Sequence, residues 1–259
     1  MKTNDTLGLR MKENYEKISQ TKLLRRTPVA IRIDGRSFHT WTRGLKKPFD
    51  AVLINTMQDV TAYLCANIQG CVFGYTQSDE ITLILQDYKE LNTAAWFDYK
   101  VQKICSIAAS MATAQFARAF SQNAQEECAR IGADDPYRSI LETKQNTNAM
   151  FDARCFNIPK EEVCNLIYWR QLDATRNSIQ MVAQSLFSHS EMQGLSCNKL
   201  QDKMFTEKNV NWNDFSTFLK RGTAVIKDEE GWKIDLDMPI LKGEDRQYVE
   251  RYICFEGES

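Results

Sequence analysis

Two acidic positions stand where the chain would expose them. Asp34 ends an alternating run, Val29-Ala30-Ile31-Arg32-Ile33, and is followed at once by Gly35, which permits a sharp turn. Asp79 and Glu80 belong to a polar stretch, Thr76 to Glu80, between two short apolar runs. Carboxylates a few ångströms apart repel each other unless a cation neutralises them. The chain has two histidines and no CxxC pair among its eight cysteines, so a zinc site is disfavoured. Hard oxygen ligands favour magnesium, which keeps positions open for phosphate oxygens and water. Two such ions activate an attacking oxygen and stabilise a leaving one in phosphoryl transfer. Gly35 offers an unshielded carbonyl as a further ligand.

Next to Asp34, the run Gly35-Arg36-Ser37-Phe38-His39 would present successive backbone N–H groups in a tight turn, a concavity suited to a triphosphate. Phe38 would pack in the core or against a base, and His39 also reads as a structural histidine. Lys47 follows within reach. Lys100 and Lys103 lie about one helical turn apart and so share a face that could meet phosphates. Each signal alone has an ordinary explanation. Asp-Gly after a strand is commonly a plain turn, and polar hairpin tips and helix-surface lysines are commonly just solvated. Their weight comes from appearing together at the right points of one topology.

That topology follows from the periodicities. Residues 28–34 read as a strand and residues 50–68 as a helix, with Leu53, Met57, Val60, Leu64 and Ile68 on one face. Residues 71–75 and 81–85 read as a hairpin with Thr76–Glu80 as its tip. Residues 94–120 read as a long helix, and 153–158 as a further strand. Strand, helix, strand, strand, helix, strand is the split βαβ, or ferredoxin-like, pattern: an α+β fold with two helices on one face of an antiparallel sheet. In it the first strand lies beside the hairpin, and Asp34 and Asp79 converge at one edge. Residues 1–159 would form this catalytic region, and 160–259 a mostly helical part packed on it as one unit. Glu80 should point away from Asp79, because neighbouring strand residues face opposite sides.

The bulk numbers set the frame. A hydrophobic content of 43% over 259 residues is enough for a sizeable core, and 26% charged residues suit a soluble globular chain. No apolar run approaches the roughly 20 residues of a membrane span, and the N-terminus lacks the apolar core of a signal peptide. A cytoplasmic protein with free thiols is expected, Cys105 buried on an apolar helix face among them. With a net charge of −1, any RNA contact must come from local basic clusters such as Lys22-Arg25-Arg26, Arg43-Lys46-Lys47 or Lys199-Lys203-Lys208-Lys220-Arg221.

Arg32-Ile33-Asp34-Gly35-Arg36-Ser37-Phe38-His39 resembles the first carboxylate motif of the tRNA(His) guanylyltransferase family, and Tyr75-Thr76-Gln77-Ser78-Asp79-Glu80 resembles its second. Lys47-Pro48, Trp169-Arg170-Gln171-Leu172-Asp173 and Arg221-Gly222-Thr223 match as well, so the resemblance covers roughly residues 10 to 227. It implies a polymerase palm-like catalytic domain with two magnesium ions on Asp34, Gly35 and Asp79. Nucleotide contacts would fall on Asp34 through His39, Lys47, Ser78 and Asp79. The implied substrates are tRNA, ATP, GTP and other nucleoside triphosphates, and the implied assembly is a homotetramer. The tRNA 5′ end is adenylylated with ATP; the 3′-hydroxyl of an incoming nucleotide then attacks it and releases AMP, giving 3′-to-5′ addition. Eukaryotic members carry His-Ile-Asn-Asn-Leu-Tyr-Asn where this chain has Thr175-Arg176-Asn177-Ser178-Ile179-Gln180-Met181. That departure resembles the bacterial and archaeal guanylyltransferase-like proteins and favours templated 5′-end repair over strict tRNA(His) recognition.

Two other readings use the same residues differently. A palm-type nucleotide cyclase would keep the metals but direct the 3′-hydroxyl within one nucleotide. A non-catalytic RNA-binding module would have no use for the Asp34–Asp79 pair, since uncompensated carboxylates weaken phosphate binding.

Overall fold

The computed structural model describes residues 6–254. The chain opens with α1 (Thr6–Met11) and a wider helical turn, Lys12–Glu16, neither of which buries a residue. β1 (Val29–Gly35) leads through the four-residue α2 (Phe38–Trp41) to α3 (Ala51–Asn67). The hairpin β2 (Cys71–Gln77) and β3 (Glu80–Leu85) follows, then α4 (Val101–Arg130), α5 (Pro136–Gln145) and β4 (Phe151–Asn157). The long α6 (Lys160–Leu186), α7 (His189–Met192), α8 (Cys197–Lys208) and α9 (Thr217–Arg221) precede a second hairpin, β5 (Thr223–Asp228) and β6 (Gly231–Asp235), and α10 (Gln247–Glu250).

All six strands form one antiparallel sheet in the order β4-β1-β3-β2-β5-β6. The first four give the split βαβ order read from the periodicities. The residues after 160 depart from a helical reading where β5 and β6 extend the sheet beyond β2. Ala224, Val225 and Ile226 are buried there, so the strand is set by the sheet it joins.

Alternation in β1 sorts its residues between two cores. Val29, Ile31 and Ile33 face α3 and α4, in a core with Met57, Leu64, Ile104 and Phe116. Ala30 faces the other side, with Phe73, Tyr75, Ile84 and α6 residues Val163 and Ile167. The sheet is therefore covered on both faces. A third cluster joins the end of α6 to α8 and Trp212.

Several boundaries moved for identifiable reasons. The hairpin tip shrinks to Ser78-Asp79, because Gln77 pairs directly with Glu80 and Ser78 takes up the turn at φ 52°. The long helix begins at 101 rather than 94, after a turn in which Phe97, Asp98 and Tyr99 all have positive φ. It then runs to Arg130, because Phe120, Ala124 and Cys128 continue the buried stripe. Cys105 is half-buried, with its Sγ 3.6 Å from that of Cys155. Among the described residues, no helix is long and apolar enough to cross a membrane.

Candidate active site

The site is built at the end of the sheet where β1 stops and the β2–β3 hairpin turns. Asp34 is the cross-strand partner of Glu80 on β3 and of Asp152 on β4. The N–H of Gly35 donates to the carbonyl of Asp79 at 3.2 Å, which ties the hairpin tip to the end of β1. A Cβ on Gly35 would lie 2.2 Å from the Phe38 ring, so only glycine lets the chain turn here.

Among the described residues neither Asp34 nor Asp79 forms an ion pair. Burial raises the Asp34 carboxyl above its ordinary range, and the Glu80 and Asp152 carboxylates add to the effect. Burial pushes Asp79 up to about 6, with Asp34 and Glu80 adding to it, although the Ser78 hydroxyl donates to its Oδ1 at 3.0 Å and opposes the shift. Arg154 and Arg32 oppose the shift at Asp34 from a distance, but burial outweighs them, and two carboxylates that disfavour their own charge suit a bound cation. Among the described residues no group of three or more His, Cys, Asp or Glu forms a metal cage. Magnesium does not need one, since it binds through one or two carboxylates together with phosphates and water.

Glu80 behaves differently. Its carboxylate is held by Arg170 of α6, by Gln77 Nε2 at 3.2 Å and by Arg32 at 3.5 Å. Arg170 is buried and also reaches Asp173 at 2.9 Å. Glu80 thus locks the hairpin to α6, which the polar tip read alone could not reveal.

Beyond Gly35, the Arg36 N–H is taken by the Met150 carbonyl at 2.8 Å. Ser37 adopts φ 55°, ψ 33° and turns the chain into α2. Among the described residues the backbone N–H groups of Ser37, Phe38 and His39, which follow this turn, have no backbone acceptor. The Phe38 ring is unavailable to a base: it lies 5.2–5.5 Å from Phe151, Trp41 and Phe116. Its contribution is its N–H alone. His39 is exposed.

Lys47 is exposed, whereas Lys46 is held by Glu127 at 2.9 Å and lies over Tyr137. Lys100 and Lys103 are not brought here. Phe151, opposite Gly35, meets Thr113 of α4, while the Val101 N–H bonds Thr21 and the Tyr99 carbonyl bonds Leu23 at the other end of the sheet. From Thr113 back to Lys103 is about 15 Å along the helix. Lys103 lies over Phe97 instead, and Lys100 bridges to Lys22. Of the other basic clusters, Arg25 is bound to Asp87 and Lys22 to Asp98.

Beside the hairpin, on the β2–β5 side, opens a cleft. Phe49, Leu53, Met57, Met181, Phe218 and Leu219 give it apolar walls, and Ser78, Asn177, Gln58 and Thr223 add polar groups. Gly222, at φ 84°, closes one side; a Cβ there would lie 2.7 Å from the Thr76 carbonyl. The α6 and α9 contributions escaped the sequence reading because they come from segments a hundred residues beyond the carboxylates. Asn177 and the Arg221-Gly222-Thr223 match were their local signals.

The matched region of a family model described as tRNAHis guanylyltransferase is residues 9–159. The structure of a bacterial tRNA(His) guanylyltransferase-like protein in complex with ATP superposes with a TM-score of 0.85 at 41% identity, covering 96% of this chain and all of the other. A second structure of a bacterial protein so described, in complex with GTP, gives 0.78 at 37% identity, covering 97% of this chain and 100% of the other. A probable tRNA(His) guanylyltransferase of Dictyostelium discoideum is 25% identical over 218 residues, 79% of this chain and 77% of its own. Matched through both carboxylate motifs, and alike over nearly its whole length to the bacterial proteins, the chain belongs to the tRNAHis guanylyltransferase family.

Proposed function

We propose that this chain is a metal-dependent nucleotidyltransferase that activates the 5′ end of tRNA with ATP and adds nucleotides there in the 3′-to-5′ direction. The observation that carries this reading is the pair Asp34 and Asp79, unpaired and charge-disfavoured beside N–H groups with no backbone acceptor. Both side chains and the Gly35 carbonyl would hold two magnesium ions, which when bound would lower the charge on reacting phosphates and favour ionisation of an attacking oxygen.

The chain's own groups supply the rest. The N–H groups of Ser37 to His39 accept a triphosphate, with Lys47 as a charge-assisted donor. The apolar cleft takes the base and sugar, with Asn177 and Ser78 as polar contacts. In activation, an oxygen of the tRNA 5′-monophosphate attacks the α-phosphate of ATP and pyrophosphate leaves. In addition, the 3′-hydroxyl of the incoming nucleotide attacks the activated 5′ phosphate and AMP leaves. Both are in-line displacements at phosphorus, so one palm-like centre serves both.

The departure at Thr175–Met181 favours templated repair. Asn177 faces the cleft, but Ser178 is buried and accepts from Trp212 Nε1 at 3.1 Å. Asn177, Ser178 and Met181 line the cleft, but none brings a charge or a ring to it, which leaves base choice to the opposing strand. A cytoplasmic homotetramer completes the reading; Leu7, Leu9, Met11, Tyr15 and Ile18 are exposed on a segment with no buried face.

Incubation with labelled 5′-phosphorylated tRNA, ATP, GTP and magnesium tests the proposal. Extension of the tRNA is expected. A cyclic nucleotide would indicate a cyclase, and retention of tRNA without turnover a binding module.

A further inference from the structure

Trp169 is half exposed, at 47%, although it stands on the buried helix α6 beside the carboxylates. Beneath it lie two guanidinium groups, Arg170 at 4.6 Å and Arg32 at 5.2 Å from a ring centroid. Both reach the same oxygen of Glu80. That shared contact confines them to one face of the indole and leaves the other face to solvent. Leu172, one turn further on, is also exposed, at 44%.

The position of this ring relative to the reacting centre is fixed by register. Arg32 is two residues before Asp34 on the same face of β1, and its cross-strand partner on the edge strand β4 is Arg154, whose side chain is 56% exposed. Trp169, which covers Arg32, therefore stands over the β1 side of the hairpin. The cleft that would take a nucleoside triphosphate lies on the β2–β5 side, and Trp169 does not line it. The carboxylates are thus flanked by two surfaces able to hold a base, one a walled cleft and one an open ring face.

An addition to the end of a polynucleotide needs that arrangement. The free nucleotide is small and is held best in a walled cleft. The polynucleotide end is attached to a bulky body and needs an open ledge. Aromatic side chains stack on bases without regard to sequence, because every base has a π-face, and arginines beside them bind the adjoining phosphates. The geometry points to the outer face of Trp169 as the stacking platform for the terminal base of the RNA 5′ end, with Arg154 and Arg176 at its rim as phosphate contacts. Arg154 now rests 3.3 Å from Asp152, and Arg176 is paired with Asp173, in both cases at the exposed surface where such pairs are weak and exchangeable. This assignment rests on the RNA-directed reading of the site given above, and it adds to that reading the side from which the RNA end arrives.

The test compares the wild type with Trp169→Ala and Trp169→Phe, using a 5′-monophosphorylated tRNA transcript with ATP, GTP and magnesium. Loss of one stacked base should raise the KM for tRNA about tenfold or more in Trp169→Ala and leave the KM for both triphosphates unchanged. Trp169→Phe, which keeps an aromatic face, should recover most of the loss. An unchanged KM for tRNA in Trp169→Ala would overturn the assignment. A parallel rise for tRNA and triphosphates would also overturn it, by showing that the ring acts only through Arg32, Arg170 and Glu80. If Trp169→Ala does not fold, intrinsic fluorescence decides: quenching on tRNA addition should be clearly smaller in Trp169→Phe than in the wild type, and equal quenching would count against stacking. A wild type that neither binds nor extends the transcript would sink the RNA-directed reading and the platform together. Extension by the wild type with an unaffected variant would sink the platform alone.

Discussion

At the scale of single residues, the site consists of acids whose charge the fold leaves uncompensated. Asp34→Asn and Asp79→Asn keep the shape and remove the charge. Each should lower both activation and addition about a thousandfold, since several kcal/mol of transition-state stabilisation would be lost at a shared centre. Thermal stability should be unchanged or higher, because neither carboxylate has an ion pair to lose. Near-normal turnover in either variant, measured on 5′-phosphorylated and on preadenylylated tRNA, would remove that residue from the centre. The raised carboxyl of Asp79 gives a second expectation. It titrates at about 6 when folded and near about 4 when unfolded. The folded state therefore binds more protons between these values, and the contribution of Asp79 to metal-free stability falls as pH rises from 4 to 6. Magnesium binds the ionised form and should offset that loss only above about pH 6. Thermal shift should show the midpoint rising by about 3 °C at pH 7.5, with magnesium at ten times its Kd, and by much less at pH 5. An equal shift at both pH values would detach magnesium binding from Asp79.

At the scale of elements, the working part is a two-residue hairpin tip pinned on both sides. Gly35 binds its backbone, while Glu80 and Arg170 fix its base to α6. Gln58 Nε2 donates to the Thr223 hydroxyl at 2.9 Å, and the Tyr75 hydroxyl donates to the Arg221 carbonyl at 2.6 Å, so β5 is docked against α3 and β2 at the cleft wall. Placement on these elements separates lysines that look alike in sequence. Lys47 lies two residues before Phe49, which lines the cleft, whereas Lys103 is on α4 toward the opposite end of the sheet. Lys47→Ala should raise the KM for triphosphates about tenfold or more, the cost of one charge-assisted contact. Lys103→Ala in the same steady-state assay should stay within about a factor of two. Equal losses in the two variants would mean that another subunit brings Lys103 to the site.

At the scale of the whole molecule, the expectations concern assembly and template. The exposed apolar residues of the N-terminal segment call for a partner surface, and sedimentation equilibrium should give the mass of a tetramer. A monomer at micromolar concentration would contradict this. The template expectation uses a non-histidine tRNA lacking its first nucleotide, with each of the four bases in turn opposite the gap. The complementary nucleotide should be added in each case. Pairing discriminates by a few kcal/mol, so misincorporation should be low but measurable. Guanosine addition opposite adenosine, confined to tRNA with the histidine anticodon, would instead identify a dedicated tRNA(His) enzyme.

The sequence by itself determined what local periodicity and turn chemistry can encode. The alternation of Val29 to Ile33, the apolar stripe of α3 and the apolar runs either side of the hairpin were enough to set the order of β1, α3, β2 and β3, while the short α1, α2 and α5 went unread. Asp34 and Asp79 were legible because a strand end and a hairpin tip are defined by their immediate neighbours. The tertiary structure decided everything that depends on distant segments meeting. It gave Glu80 to Arg170, ninety residues away, and so to the scaffold. It recruited Thr223–Asp228 and Gly231–Asp235 as strands, because an open β2 edge supplies backbone partners that no local propensity can show. It set Lys100 and Lys103 apart from the carboxylates, since helical spacing fixes which face two residues share but not which end of the sheet that face lies against. And it left the Trp169 ring half exposed above Arg32, an exposure that depends on how α6 packs against β1 rather than on its own sequence.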